Sequence, residues 1–459
     1  MTQADTFPPG QRVGWIEFIK IILFGEKFDP LAYARGMSDE YGSFTYSRFG
    51  NIEVYQVADP ELTHEILVER TAEFHKGIMK SAFEPFAGNG LLTSEGDFWK
   101  RQRKLAQPAF HYRRIESYAE AMIAHTEQML DKWRSGQTVL IDREMMKLTL
   151  AIVAKTLFNA DVSGDADRVG VLLNHILDAA NERLNAPIRL PDWMPTPRRI
   201  SQRRTIAELD AIINRVISER RASGADEGDL LSMLLLAQDE DGERMNDKQL
   251  RDEAMTLFLA GHETTANALT WAWYLLAQHP DVLAKMQAEL DSVLGGRVPT
   301  LADLPNLPYN EMVIKETMRL FPPAPGLSRS PYQDLELGGH RVPKNALMQI
   351  SIYAMHRSSR YFEQPDAFIP ERFSAENEKH IPRYAYLPFG GGPRVCIGNQ
   401  FAIMEARLIL ALVGSRFELA LVPGQQVVPQ QMLTLRPRES FAMRVTARQP
   451  QTQPQLELA

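Results

Sequence analysis

Phe389-Gly390-Gly391-Gly392-Pro393-Arg394-Val395-Cys396-Ile397-Gly398 is the stretch on which the reading of this chain turns, because Cys396 is the single cysteine among 459 residues. A solitary thiol can neither close an internal disulfide nor join a cysteine-rich zinc site. The glycines before it let the backbone turn and approach a flat ligand closely. The apolar stretch from residue 399 to about 417 predicts a helix, which sets the sulfur at a helix N-terminus. Unpaired N–H groups and the helix dipole favour a thiolate there over a thiol. With Arg394 two residues upstream, such a thiolate is suited to bind haem iron as an axial ligand. The competing reading of an isolated cysteine is an inert buried side chain.

The same run resembles, position by position, the haem-binding loop of the cytochromes P450, the haem-thiolate monooxygenases. Phe389, Gly392, Arg394, Cys396 and Gly398 all match, and Phe401-Ala402-Ile403-Met404-Glu405-Ala406-Arg407 resembles the family's helix after the cysteine. The resemblance extends over roughly residues 40–447. It implies the cytochrome P450 fold, mainly α with a minor β-sheet region, and one haem b (iron protoporphyrin IX) held by Cys396. It also implies insertion of one oxygen atom from O2 into a hydrophobic organic substrate such as a fatty acid or terpenoid.

The longest helical pattern runs over residues 246–278, opened by an Asn cap and closed before Pro280. At 1.5 Å per residue it spans roughly 45 Å, enough to cross a domain. Within it lies Ala260-Gly261-His262-Glu263-Thr264-Thr265. Ala260 and Thr264 share a face, and the small Ala260 and Gly261 leave room for a ligand against the helix. The plainer alternatives are that Gly261 is a packing site and Thr264 a back-bonded hydroxyl. The run resembles the family's oxygen-activating segment, which implies that Thr264 and Glu263 deliver the protons needed to split dioxygen, with Glu263 leading to bulk solvent. His262 is expected to point away from the iron.

Further matches are scattered along the chain. Glu316-Thr317-Met318-Arg319 resembles the family's Glu-x-x-Arg motif, and Pro370-Glu371-Arg372-Phe373 a second signature. The resemblance makes Glu316, Arg319 and Arg372 a buried structural ion network, whose rupture costs roughly 3–5 kcal/mol. Trp99 and Arg103, spaced i, i+4, resemble the family's Trp-x-x-x-Arg helix, and with Arg329 and Arg394 they are implied ligands of the haem propionates. The implied substrate pocket draws on residues 79–92, 258–260, 324–327 and 432–434, mainly apolar.

Residues 98–115 carry Lys100, Arg101, Arg103, Lys104, Arg113 and Arg114 with no acidic residue. With Arg103 assigned inward, the others are expected to form a free basic patch. The resemblance puts this helix on the thiolate side, where such a patch would steer an acidic ferredoxin or flavodoxin, served by an NAD(P)H-dependent reductase. No flavin or ferredoxin domain fits beside this fold in 459 residues, so electrons are expected from separate proteins.

A net charge of −7 argues against general nucleic-acid binding, and 44% hydrophobic with 24% charged residues describes an ordinary soluble chain. Residues 13–28 are the most membrane-like, yet Glu17, Lys20, Glu26 and Lys27 interrupt them and they are too short to span. The first ten residues lack the features of a signal peptide, and Pro8-Pro9-Gly10 comes where an anchor would precede. The expectation is a cytoplasmic protein with no membrane span, residues 15–24 packing on the body rather than on a lipid surface. Because the motifs from residue 96 to 398 must converge on one cofactor, a single domain over 1–459 is expected, with an N-terminal segment at about 1–40 and a disordered tail at 449–459. Strands are expected at 43–49 and 52–58 as a hairpin, at 335–337, 341–343 and 347–352, and at 441–447. Two rival functions are a haem-thiolate isomerase or peroxygenase, and a non-catalytic haem protein that senses or carries a gas. The Glu263-Thr264 pair disfavours both.

Overall fold

The computed structural model of this chain describes residues 7–14, 29–49, 52–159, 166–185, 194–224 and 226–449. Its axis is the helix Asp247–Gln278, hereafter the long helix. Asn246 caps it through a reciprocal pair: its side chain accepts from the Gln249 N–H at 2.9 Å, and the Gln249 side chain accepts from the Asn246 N–H at 2.9 Å. This capping box satisfies two N–H groups that the first turn leaves without partners. His279 ends the helix one residue before Pro280 opens the next, Pro280–Leu294. Trp271 and Trp273 are fully buried, so the long helix runs through the interior and packs on the helices Ile141–Phe158, Pro308–Leu320 and Asn399–Arg416. The last of these follows the cysteine loop as expected. Its Leu408 to Val413 run is wholly buried, which anchors the loop to the largest core.

A smaller core lies under a six-stranded sheet, in the order Gly10–Val13, Phe44–Phe49, Ile52–Val57, Leu347–Ile350, Leu327–Pro331, Phe74–His75. The expected hairpin is there, with Tyr46 opposite Tyr55 in antiparallel register. Leu335–Leu337 and His340–Val342 pair across Gly338 and Gly339, at φ 55° and 77°, the left-handed backbone a two-residue turn demands. The strand that follows leaves this hairpin and runs parallel to Ile52–Val57, Val57 facing Ile350. Ala442–Ala447 pairs with Phe417–Leu421 and with Thr138–Leu140.

The N-terminal expectation is modified. Residues 10–13 form an edge strand parallel to Phe44–Phe49, and Pro30–Tyr41 is a helix capped by Asp29, its Arg35 bound through both guanidinium nitrogens to Asp366 at 2.7 Å. These parts of the first forty residues belong to the main body. Residues 15–24 and 450–459 lie outside the described residues. Among those described, no helix is long and apolar enough to cross a membrane.

Candidate active site

Gly392, at φ +67°, shows what the glycines of the cysteine loop are for. A Cβ there would lie 1.9 Å from the Leu67 carbonyl oxygen, so the loop is pressed onto protein backbone rather than kept open for a ligand. The loop closes on itself where the Cys396 N–H donates to the Phe389 carbonyl at 3.0 Å. Cys396 remains accessible, yet it stands in a recess where loss of water pushes its thiol above the ordinary range. The Gly398 N–H and the charge of Arg103 pull the other way and are weaker. The helix N-terminus therefore acts on the sulfur, while burial acts against its charged form in the absence of a metal. A bound metal ion deprotonates a coordinating thiol outright.

The cations converge unevenly. The Arg394 guanidinium lies 4.2 Å from the centre of the Trp99 ring, pairs with Glu95 and donates to the Ser94 carbonyl at 3.0 Å. Arg329 is buried and donates to the Ser328 carbonyl at 2.8 Å; burial, then repulsion from Arg394, pushes it down to about 10. Arg103 turns to the cysteine loop, Nη1 donating to the Val395 carbonyl at 2.8 Å, a place nearer the sulfur than the propionate role expected of it. Lys76 joins this cluster and was not foreseen, since nothing in its local sequence marks it. Its ammonium donates to the Leu91 and Leu92 carbonyls, and burial, with Arg394 and Arg329 nearby, pushes it down to about 7. Lys76, Arg329 and Arg394 thus gather beside Glu95, with Glu253 also close to Lys76. Haem propionates would pair with these buried cations, and an accessible Cys396 would meet the iron: the residues present fit haem b.

On the long helix, Ala260 is exposed although the run before it is buried. The Thr264 hydroxyl donates to the Ala260 carbonyl at 2.9 Å, the back-bonded state, which leaves its oxygen lone pairs to accept from a group beside the helix. Gly261 does not make room for a ligand; a Cβ there would meet Val153 Cγ2 of the neighbouring helix at 3.2 Å. His262 is buried with Nδ1 on the Phe258 carbonyl at 2.8 Å, and burial pushes it down to about 4, so it is neutral. Glu263 is buried rather than solvent-facing. Its Oε1 accepts from the Thr434 hydroxyl at 2.7 Å, Oε2 has no partner among the described residues, and burial holds its carboxyl above the usual range.

Asp252 and Glu253, also on the long helix, were missed because no motif surrounds them. They accept from the N–H groups of Asn89 and Leu91 at 2.9 and 3.0 Å. The segment 88–91, within the expected pocket, is thereby strapped to the long helix, its Leu91 peptide held by Glu253 at the N–H and by Lys76 at the carbonyl. Of the other pocket residues, Phe83 and Phe86 are buried core, while Met79, Leu92, Leu327, Met432 and Leu433 are partly exposed.

Glu316 and Arg319 form a fully buried bidentate pair at 2.7 and 2.8 Å. Arg372 reaches Glu316 only at 3.4 Å and from the rim. His356 ties this pair to the residues just before the cysteine loop: its Nε2 accepts from the Leu387 N–H at 2.8 Å and its Nδ1 lies 3.3 Å from the Arg319 carbonyl.

The expected free basic patch is overturned. Lys100 pairs with Asp97 at 2.8 Å, Arg101 with Asp239 at 2.6 Å, and Lys104 with Glu240. The local Asp97 neutralises one of these charges, and Asp239 and Glu240, brought in by the segment before the long helix, neutralise the other two. The side chains of Arg113 and Arg114 lie outside the described residues.

Comparison with known proteins places this chain among similar sequences and folds. The family model described as cytochrome P450 matches residues 8–445. Cyclooctatin synthase of Streptomyces melanosporofaciens is 39% identical over 86% of this chain and 87% of its own. Pentalenene oxygenase of Streptomyces avermitilis is 32% identical over 92% and 94%. The crystal structure of the cytochrome P450DA haem domain superposes with a TM-score of 0.87 at 29% identity, covering 97% of this chain and 98% of that one.

Proposed function

This chain belongs to the cytochrome P450 family and is a haem-dependent monooxygenase; from that premise we propose that its substrate is an apolar carbon skeleton of the terpenoid kind. The names of three relatives support the substrate class: cyclooctatin synthase, cyclooctat-9-en-7-ol 5-monooxygenase and pentalenene oxygenase. The observation that carries the reading is the accessible Cys396 in a chain that also buries Arg329, Arg394 and Lys76 together. When bound, the haem supplies activation of dioxygen and transfer of one oxygen atom. Cys396 holds its iron, and Arg394, Arg329 and Lys76 hold its propionates. Met79, Leu92, Leu327 and Met432 offer the apolar wall for the substrate. Thr264 accepts a hydrogen bond at the reacting face and Glu263 stores the proton. The donor of electrons we take to be a ferredoxin or flavodoxin with its NAD(P)H-dependent reductase, and the setting the cytoplasm.

Titrating terpenoid olefins, fatty acids and steroids into the haem protein while following the Soret band tests the substrate class. Terpenoid olefins are expected to shift it at the lowest concentrations; a response confined to fatty acids overturns the proposal. Thr264→Ala is expected to keep its haem and consume reductant while diverting most oxygen to hydrogen peroxide, with product per reductant falling roughly tenfold or more. Unchanged coupling removes Thr264 from proton delivery. Replacing both members of the pairs Lys100–Asp97 and Lys104–Glu240 by glutamine, which leaves the net charge unchanged, is expected to keep ferredoxin-dependent reduction within about twofold, because paired charges add little to the field that steers a partner; a severalfold loss at low ionic strength would restore the basic-patch expectation.

A further inference from the structure

The side chains of Glu263 and Asn267 meet that of Thr434, from a segment distant in sequence. Thr434 donates to Oε1 of Glu263 at 2.7 Å and accepts from Nδ2 of Asn267 at 3.1 Å. Asn267 stands one helical turn beyond Glu263, so both brace Thr434 from the same helix. With the amide occupying a lone pair, the Thr434 hydroxyl is oriented with its proton on Oε1. Oε2 is buried and has no partner among the described residues. A carboxyl in this setting favours its neutral form, and its proton then belongs on the oxygen that Thr434 does not address.

Thr434 sits beside the hairpin Pro429–Gln431 and Leu435–Pro437. Two residues on, Arg436 pairs with Asp178 of the helix Ala166–Asn185 at 3.0 Å, with side-chain exposures of 28% and 46%. Both charges are felt at Glu263. Neighbouring Met432 accepts from the Asn181 amide at 3.5 Å, so the hairpin is clipped to that helix twice. One end of this group meets solvent and the other is the acid next to Thr264.

We propose that Thr434 is the positioning residue and the entry point of a proton relay, its hydroxyl giving its proton to Oε1 of Glu263 and taking another from the solvent side by Arg436 and Asp178, while Oε2 gives one up toward Thr264. Protons balance at each step: one enters the carboxyl at Oε1 as one leaves from Oε2, and Thr434 and Glu263 end as they began. Glu263 can therefore be fully buried and still be recharged. The inference rests on the proposed monooxygenase role of Glu263 but is tested without turnover.

Infrared difference spectra of the haem-loaded protein, with Glu263→Gln to assign the carboxyl band, measure both the hydrogen bond and proton access. Thr434→Val should move the neutral-carboxyl band to higher frequency and slow its exchange in deuterated water by about fivefold, the rate equivalent of one lost hydrogen bond. Thr434→Ser should restore both. Asp178→Asn should slow the exchange without moving the band. An unmoved band in Thr434→Val overturns the positioning role. A moved band with unchanged exchange overturns the relay, as does failure of Thr434→Ser to rescue. If the parent shows these signals and yet oxidises no substrate, the functional reading fails while the hydrogen-bond assignment stands.

Discussion

Cys396→His abolishes the strongly red-shifted ferrous–CO absorbance that a thiolate opposite CO produces. The expectation follows from arithmetic before it follows from geometry, because no other thiol exists in the chain to replace it. Geometry adds that the side chain is accessible while its loop is fixed on three sides. Gly392 is wedged on the Leu67 carbonyl, the Cys396 N–H is held by Phe389, and the Val395 carbonyl is held by Arg103. A loop so held should present an imidazole from nearly the same place. The variant can then retain haem and lose only the electron donation of the thiolate. Activity should fall by orders of magnitude, with the absorbance of the reduced CO complex returning to that of a histidine-ligated haem. Survival of the red-shifted band would sink the assignment of Cys396. Loss of haem altogether would leave the ligand role standing, and Cys396→Ser, assayed for haem uptake alone, would then measure how much retention depends on the sulfur.

What could be read from the sequence divides along a physical line. The long helix announced itself through a cap, a terminating proline and an unbroken helical pattern, all local, and its bounds were met within one residue. The hairpins did so through alternation and glycine pairs. The destinations of side chains were not local and were harder to see. Gly261 looked like space for a ligand, but the space belongs to Val153 of another helix. Lys100, Arg101 and Lys104 looked like an unbalanced patch because their partners stand more than a hundred residues away at Asp239 and Glu240, apart from the local Asp97. Glu263 looked solvent-facing and is buried, since the Thr434 that covers it comes from the far end of the chain. Lys76 and Glu253 carried no local pattern at all. Their roles appear only when the segment 88–91 is seen strapped between them.

Arg319→Ala should be the most damaging substitution to the fold itself. Neither Arg319 nor Glu316 has any exposed side-chain surface. Besides the two bonds to Glu316, the guanidinium donates to the carbonyls of His356, Pro365 and Ala367 at 2.8, 2.7 and 2.9 Å and lies over the Phe362 ring at 5.1 Å. Glu316 in turn accepts from the Ile369 N–H at 2.9 Å. Removing the arginine strands a buried carboxylate and three carbonyls, a loss of roughly 3–5 kcal/mol against a total stability of about 5–15 kcal/mol. Arg319→Lys should recover little, because one ammonium cannot replace a fork that reaches five acceptors. Arg372→Ala should cost only about 1 kcal/mol, since its contact to Glu316 is 3.4 Å and its side chain is partly exposed. Urea unfolding of the haem-loaded proteins measures the order, and equal losses for Arg319→Ala and Arg372→Ala would refute it. Because His356 bridges the Arg319 carbonyl to the Leu387 N–H, collapse of this pair should also loosen the cysteine loop. Haem dissociation should then accelerate in Arg319→Ala at denaturant concentrations that leave most helical signal intact, whereas simple global unfolding would release haem and helix together.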